Sequence, residues 1–319
     1  MTAIEAILDM PTQSQSDFAG ELAQRVSPGT AIRRDEPLAK RTTLRVGGPA
    51  DFYVEPADEN DLASVLKFCR EREMPFFILG RGSNLLIRDG GFRGVVICLL
   101  QPAFGKIEIA GEKISCGAGA KQKSVAVEAR RAGLSGVEFL EGIPGSVGGA
   151  LRMNAGAMGG QTFDAVESVR LMDFDGNIIE MTPGEMAVAY RSCGALKNHI
   201  ALSAVFKCRA LPREEIEKRM KSFSEKRWES QPAAPSAGCI FKNPPAIPAG
   251  KLIQDLGLKG ARVGGAVVSA EHGNFIINDG KATARDVLQL IEILKVKVKD
   301  LRGIELHTEV EIMGEEARS

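Results

Sequence analysis

The stretch 141-EGIPGSVGGALRMNAG-156 decides how this chain reads, together with an earlier one, 79-LGRGSNLL-86. Neither has the Gly-x-Gly-x-x-Gly spacing of a Rossmann fold, and neither ends in the Gly-Lys-Ser/Thr of a P-loop. Both have what a phosphate cradle needs. Glycine lets the backbone come close to a ligand and take φ > 0, so several N–H groups converge on one anion. Ser83, Asn84, Ser146 and Asn154 add neutral hydrogen-bonding side chains. Glycine is frequent here, 35 of 319 residues, so one such loop alone reads equally as an ordinary turn. Two dense loops, each following an apolar run, favour a long ligand gripped at several points. A dinucleotide fits that description.

The rest of the composition narrows the classes. A chain of 319 residues accommodates two or three domains and a sizeable core. Lysine plus arginine equals aspartate plus glutamate at 41 each, so no global positive field exists to attract nucleic acid or a membrane surface. No apolar run is long enough to span a bilayer. The opening MTAIEAILDMPTQSQSDF has acidic residues beside a short apolar stretch and no basic leader, unlike a secretory signal. Six cysteines at 69, 98, 116, 193, 208 and 239 form no C-x-x-C pair, which suits reduced thiols in the cytoplasm. Three scattered histidines predict no metal site.

Along the chain, the first thirty or so residues read as polar and peripheral. Alternation predicts a strand over 51–55, and Asp58 caps a helix to about residue 73 with Leu62, Val65, Leu66 and Cys69 on one stripe. Short strands follow at 76–79 and 95–99, a hairpin at 107–116, and a helix at 121–132 stopped by Gly133. Asp175-Gly176 marks a two-residue hairpin between strands 168–174 and 177–181. A strand at 200–209 precedes 213–228, an exposed charged helix or connector. Then come a helix near 249–256, a strand at 274–278, a long helix over 282–302 and a final strand, 305–312. This mixture indicates α+β domains and not one doubly wound sheet.

With these segments in order, the chain resembles the UDP-N-acetylenolpyruvoylglucosamine reductase family. The matching stretches are 43-TLRVGGPA-50, the GRGSNLL loop, 138-EFLEGIPGSVGGALRMNAGAMGG-160, Tyr190-Arg191-Ser192, 238-GCIFKNP-244, 269-SAEHGNFIIND-279 and residues 305–314. The segment between about 209 and 238 lacks an extra tyrosine-bearing loop, so the chain is similar to the shorter, second type. The resemblance implies an α+β architecture. An FAD-binding fold of the p-cresol methylhydroxylase/vanillyl-alcohol oxidase type, in two subdomains, carries a C-terminal α+β substrate domain. The implied divisions are 1–95 with 303–319, 96–213, and 214–302. It implies non-covalent FAD, NADPH as hydride donor, and UDP-N-acetylglucosamine enolpyruvate as substrate. It implies no nucleic-acid, membrane or obligate protein partner.

The implied reaction reduces a vinyl ether. A hydride arrives at the terminal carbon, negative charge spreads into the carboxylate as an enolate, and a proton arrives at the carbon bearing the ether oxygen. By resemblance Arg191, in the Tyr-Arg-x-Ser element, stabilises the enolate; a guanidinium stays charged and forks onto a carboxylate. Glu309, in the Glu-Val pair, helps only if protonated or sharing a proton. Cys239 stands where most relatives carry a serine proton donor; an ordinary thiol is largely protonated at neutral pH. The flavin falls to Arg45, Gly80, Arg81, Gly82, Ser83, Asn84, Leu85, Gly142, Ile143, Pro144, Gly145, Ser146, Gly148, Gly149, Asn154, Ala155 and Gly156. Tyr190, Lys242, Asn243, Lys259 and Arg262 fall to the substrate, the last two to its diphosphate.

Each residue has a plainer reading. Arg191, Lys259 and Arg262 sit among many surface charges. Glu309 shares a strand face with Glu305 and Glu311 by alternation. Cys239 reads also as a buried structural thiol, and His272 as a packing residue. Two other functions stand beside the reductase: an FAD-linked oxidase of the same fold, and a non-catalytic nucleotide-sugar binder.

Overall fold

The computed structural model describes residues 12–317, and the reading of the extreme N-terminus lies outside them. The first sheet is ordered Ala31–Pro37, Pro49–Glu55, Phe92–Cys98, Phe76–Leu79; its first pair is antiparallel and the others are parallel. Helix α1 (Thr12–Ala23) corrects the expectation of a peripheral start. Phe18 and Leu22 are buried in the core of this sheet, with the Phe18 ring 4.5 Å from Phe52 and 4.8 Å from Phe68. Helix α2 (Glu59–Glu71) starts as expected: the Asp58 side chain accepts from the Asp61 N–H, and Leu62, Val65, Leu66 and Cys69 are buried. The strand Phe76–Leu79 then delivers the chain into the first glycine loop.

The second subdomain is an antiparallel sheet ordered Ile178–Met181, Val166–Asp173, His199–Lys207, Lys113–Gly117, Ile107–Ala110. Helices α3 (Gln122–Arg131), α4 (Val147–Arg152) and α5 (Thr162–Ala165) cover it. The hairpin at Asp175-Gly176 differs from expectation: Asp173 N–H reaches Asn177 O, leaving three loop residues instead of two. Gly176 takes φ +90, and the Asp173 carboxylate accepts from the N–H groups of 175 and 177, as a three-residue loop with a left-handed last residue requires.

Helix α6 (Arg213–Ser230) is no free connector. Ile216 and Met220 are buried in the second subdomain's core, with Phe223 packed against it. We propose that the boundary to the last domain falls after this helix, past Ser230, and not at 213.

Past that point a four-stranded sheet is ordered Ser236–Cys239, Phe275–Asn278, Ala266–Val268, Arg262–Val263. Against it pack α7 (Ala249–Asp255) and α8 (Ala284–Arg302). The capping box of Thr283 with Asp286 starts α8 and left-handed Gly303 ends it. Leu44, Val46 and Leu86 of the first subdomain belong to this same core, so the last domain is seated on the glycine-loop region.

The expected strand 305–312 forms only as Glu311–Met313, which runs parallel to Leu85–Ile87. Residues 303–310 instead follow a bulged loop irregularly. Glu309 N–H donates to Ile240 O at 2.7 Å, and Lys242 N–H donates to His307 O at 2.9 Å. Strict alternation therefore does not govern this segment, and Glu309 and Glu311 have different surroundings.

Candidate active site

Both glycine loops line one cavity of about 440 Å³ between the two FAD-type subdomains. The loops touch: Ser83 Oγ donates to Pro144 O at 2.9 Å, and Ser146 Oγ caps α4 by accepting from Gly149 N–H at 3.4 Å. Of the residues expected at the flavin, Gly80, Arg81, Gly82, Ser83, Asn84, Leu85, Ile143, Pro144, Gly145, Ser146, Gly148, Gly149, Ala155 and Gly156 line this cavity. Three do not. Arg45 is exposed with left-handed backbone (φ +59), its carbonyl held by Asn278. Gly142 lies off the wall, its carbonyl taken by Arg227. Asn154 is 5% exposed, and its side chain is spent on Gln161, on Ala189 O and on the N–H of Phe163.

The two key glycines are needed for different reasons. At Gly82 (φ +61) a Cβ would lie 2.4 Å from Arg41 O, so its neighbour's backbone excludes a side chain and the position tests folding. At Gly145 (φ +138) a Cβ would meet only the ends of the Gln122 and Ser83 side chains, at 3.1 Å each. That φ strongly disfavours a β-branched residue. Gly145→Val is expected to yield folded protein that loses flavin on gel filtration, read by the ratio of visible to ultraviolet absorbance. Full occupancy would show that this peptide does not form the cradle.

The cavity walls are unfinished in a way that suits a polar ligand. Arg81 and Gln122 line it, and the buried Arg81 Nε and Gln122 Oε1 have no hydrogen-bond partner among the described residues. Native proteins rarely leave buried polar atoms unpaired. A ribityl–pyrophosphate chain offers both the acceptors and the hydroxyls such atoms lack, so the residues fit FAD.

At one end of the cavity three parts of the chain bring the expected catalytic residues together. Arg191 sits at the tip of the hairpin Val188–Ala189/Ser192–Cys193, with left-handed backbone (φ +54). A non-glycine residue held there is a strained position, of the kind that concentrates at functional sites. Its Nε donates to Glu309 Oε1 at 2.9 Å, and its guanidinium stacks 4.9 Å over the Tyr190 ring. The Asn154 side chain supports this hairpin: its amide holds Ala189 O, and the Asn154 backbone carbonyl accepts from Arg191 at 3.5 Å.

Glu309 is fixed through its backbone, its N–H on Ile240 O and its carbonyl accepting from Asn84 Nδ2 at 3.1 Å. Burial raises its carboxyl above the ordinary range, against the opposing charge and hydrogen bond of Arg191 and the charge of Lys242. Cys239 ends the strand Ser236–Cys239 where the register shifts beside left-handed Gly238 (φ +76). Buried Asn274 pins that turn by bonding Phe241 N–H and Phe241 O. Cys239 faces the cavity, yet burial pushes its thiol up to about 12; Glu309 adds to the shift, and Arg191 and an Asn274 hydrogen bond oppose it. It holds its proton more firmly than the ordinary thiol expected from sequence.

Cys239 also lines a second cavity of about 360 Å³ with Asn243, Lys251, Gln254 and His272. The substrate residues divide around it. Asn243 is present, though its Oδ1 already accepts from Ala249 N–H. Lys242 reaches Glu309 by charge. Lys259 sits beside this cavity, its Nζ reaching the carbonyl of the wall residue Glu271 at 3.4 Å, whereas Arg262 pairs with Asp279 away from it. His272 Nδ1 accepts from Asn274 N–H, its ring packs on Phe275, and burial lowers it below the usual histidine range. Gln122, Arg152, Lys197 and His199 line the first cavity without having been expected there. Arg152 lies within the second glycine-rich stretch, where its charge gave no separate signal; the other three stand in unremarkable local sequence, and only the fold brings them to the wall.

A model of the UDP-N-acetylenolpyruvoylglucosamine reductase C-terminal domain matches residues 231–313, and a model of an FAD binding domain matches residues 50–182. The chain is 44% identical over 284 residues to the UDP-N-acetylenolpyruvoylglucosamine reductase of Clostridium botulinum (strain Hall), covering 88% of this chain and 92% of that one. It is 44% identical over 290 residues to the protein of that name from Clostridium novyi, covering 90% and 94%. The crystal structure of the Thermus caldophilus reductase superposes with a TM-score of 0.78 at 40% identity, covering 89% of this chain and 99% of that one.

Proposed function

The chain belongs to the UDP-N-acetylenolpyruvoylglucosamine reductase family, the FAD-dependent oxidoreductases of peptidoglycan synthesis, and on that premise we propose that it reduces UDP-N-acetylglucosamine enolpyruvate to UDP-N-acetylmuramate with NADPH as hydride donor. The observation that carries this reading is the convergence of Arg191, Glu309 and Cys239 at one end of the flavin cleft.

FAD, when bound, supplies the two-electron carriage from nicotinamide to the vinyl ether; the protein supplies charge, position and a proton. Arg191 is placed to fork onto the substrate carboxylate, where charge develops once hydride reaches the terminal carbon. Burial works against a full negative charge on Glu309, and its pairing with Arg191 offsets the charge that it carries, so its repulsion of the enolate is reduced. The Cys239 Sγ–H then passes its proton to the carbon bearing the ether oxygen. A thiol of raised pKa still suffices, because an enolate carbon is a far stronger base. The second cavity, opening on Cys239 and lined by Asn243 and Lys251, supplies room for the UDP end.

The chain carries no helix long and apolar enough to cross a membrane among the described residues, and its six cysteines are free thiols. Both suit a site of action in the reducing cytoplasm. The reading is tested anaerobically. Purified protein is expected to be yellow, to bleach with NADPH, and to regain its colour in stoichiometric proportion to added UDP-N-acetylglucosamine enolpyruvate. Colour that returns only when air is admitted would support an FAD-linked oxidase, and a colourless protein would support a nucleotide-sugar binder. The paired Arg191 and Glu309 beside a protonated thiol favour neither alternative.

A further inference from the structure

Gln122 opens α3 directly under the crossing of the two glycine loops. Its backbone N–H donates to Gly145 O at 3.3 Å, and its neighbour Lys121 bridges to Ser146. The residue is 2% exposed and lines the cavity. Its Nε2 points at the Gly145 position, 3.1 Å from where a Cβ there would lie. Its Oε1 is buried and unpartnered. A buried carboxamide oxygen without a donor is costly, and no described side chain satisfies it. Its partner therefore comes with a ligand.

The chemistry of that partner is restricted. Oε1 is an acceptor only. The pyrophosphate offers acceptors only, so it cannot satisfy this atom. The loops around Gln122 gather N–H groups and small hydroxyls, which suit the pyrophosphate itself. The adjoining part of FAD is the ribityl chain, whose hydroxyls are donors. We propose that Gln122 is a cofactor-positioning residue whose Oε1 accepts a hydrogen bond from a ribityl hydroxyl of FAD. The inference rests on FAD occupying this cleft. It adds an anchor in the helix behind the loops, fixing how far the isoalloxazine ring extends toward Arg191 and Cys239.

The test uses the full-length holoenzyme. Flavin release on dilution is followed by fluorescence for wild type, Gln122→Leu and Gln122→Glu. Gln122→Leu, of nearly equal volume but without polar atoms, is expected to bind FAD about tenfold more weakly, the order expected for one lost hydrogen bond to a buried group. Gln122→Glu keeps the acceptor and is expected to retain flavin better than the leucine variant. The full chain is also stripped and reloaded with FAD analogues lacking one ribityl hydroxyl. One of them should bind wild type more weakly, yet bind Gln122→Leu as well as FAD does. Altered flavin absorption bands in Gln122→Leu, with unchanged thermal unfolding of the stripped protein, would separate positioning from folding.

Flavin binding by Gln122→Leu equal to wild type would overturn the assignment. Faster release from Gln122→Glu than from Gln122→Leu would also overturn it, showing Nε2 turned toward a phosphoryl oxygen. A wild-type protein without flavin would overturn the FAD reading of the cleft itself, a separate outcome.

Discussion

Arg191→Ala is expected to leave reduction of the flavin by NADPH largely intact and to slow its re-oxidation by substrate by about 10²–10³, the usual cost of one lost electrostatic contact in the transition state. The reasoning starts from geometry. Arg191 donates to Glu309 at 2.9 Å and is braced by Tyr190 and Asn154, so its guanidinium is held before substrate arrives. Preorganised charge of this kind acts where charge develops and needs no rearrangement at the moment of reaction. Removing it also leaves Glu309 buried without its cation. Arg191 is what holds the raised Glu309 carboxyl down, so the variant's Glu309 stays protonated to still higher pH. Arg191→Lys keeps a charge but loses the fork and should recover only part of the rate. Rapid mixing of each half-reaction decides. Equal slowing of both halves would mean that Arg191 holds the flavin or the fold, and not the enolate.

Cys239→Ala is expected to accept hydride from NADPH as wild type does and to fail at proton delivery, whereas Cys239→Ser remains active because a hydroxyl occupies the same place. In deuterated water the wild type should place one solvent deuteron on the lactyl carbon attached to the ether oxygen. The pH dependence follows from the direction of the shift. A donor is competent below its pKa, and an ordinary thiol would be lost as pH rises through about 8.5. Burial pushes Cys239 up to about 12, so its donor form persists well past neutrality and the second half-reaction should show no loss near the ordinary thiol value that belongs to this group. An alanine variant that protonates product at the wild-type rate would reduce Cys239 to a packing residue. A loss centred near the ordinary thiol value, absent from Cys239→Ser, would show a thiol far less buried than the one described.

Local sequence carried much of the fold. Helix α2 starts at its Asp58 cap and buries the stripe that its periodicity marks, and α8 runs from the Thr283 capping box to Gly303. These signals are legible because caps and apolar spacing act within a few residues. Where reading failed, the deciding neighbour was distant. Alternation over 305–312 promises a strand, but residues 307–309 meet only an isolated bridge and two backbone hydrogen bonds at 240–242, so regular pairing is confined to Glu311–Met313. The polar-looking N-terminal segment is drawn into the core by Phe18 and Leu22 because the first sheet leaves a face for them. Asn154 resembles a phosphate ligand in its glycine-rich surroundings. Burial turns it inward to hold the hairpin that carries Arg191.

The sequence by itself determined the family, and it singled out the two glycine loops and Arg191, Cys239 and Glu309 as candidates, because those rest on residue types in a particular order. Tertiary structure alone decided that the three share one pocket. Arg191 meets Glu309 across 118 positions and Asn84 meets the Glu309 carbonyl across 225, separations that no local periodicity encodes. It alone raised the Glu309 carboxyl and the Cys239 thiol, since burial is a property of packed neighbours and not of residue type. It also placed Arg45 and Arg262 away from the cavity walls, set Lys259 beside the second cavity and put Gln122 at the wall of the first. A side chain's reach toward a ligand is set by where its backbone is pinned, and that pinning is done by contacts from the far end of the chain.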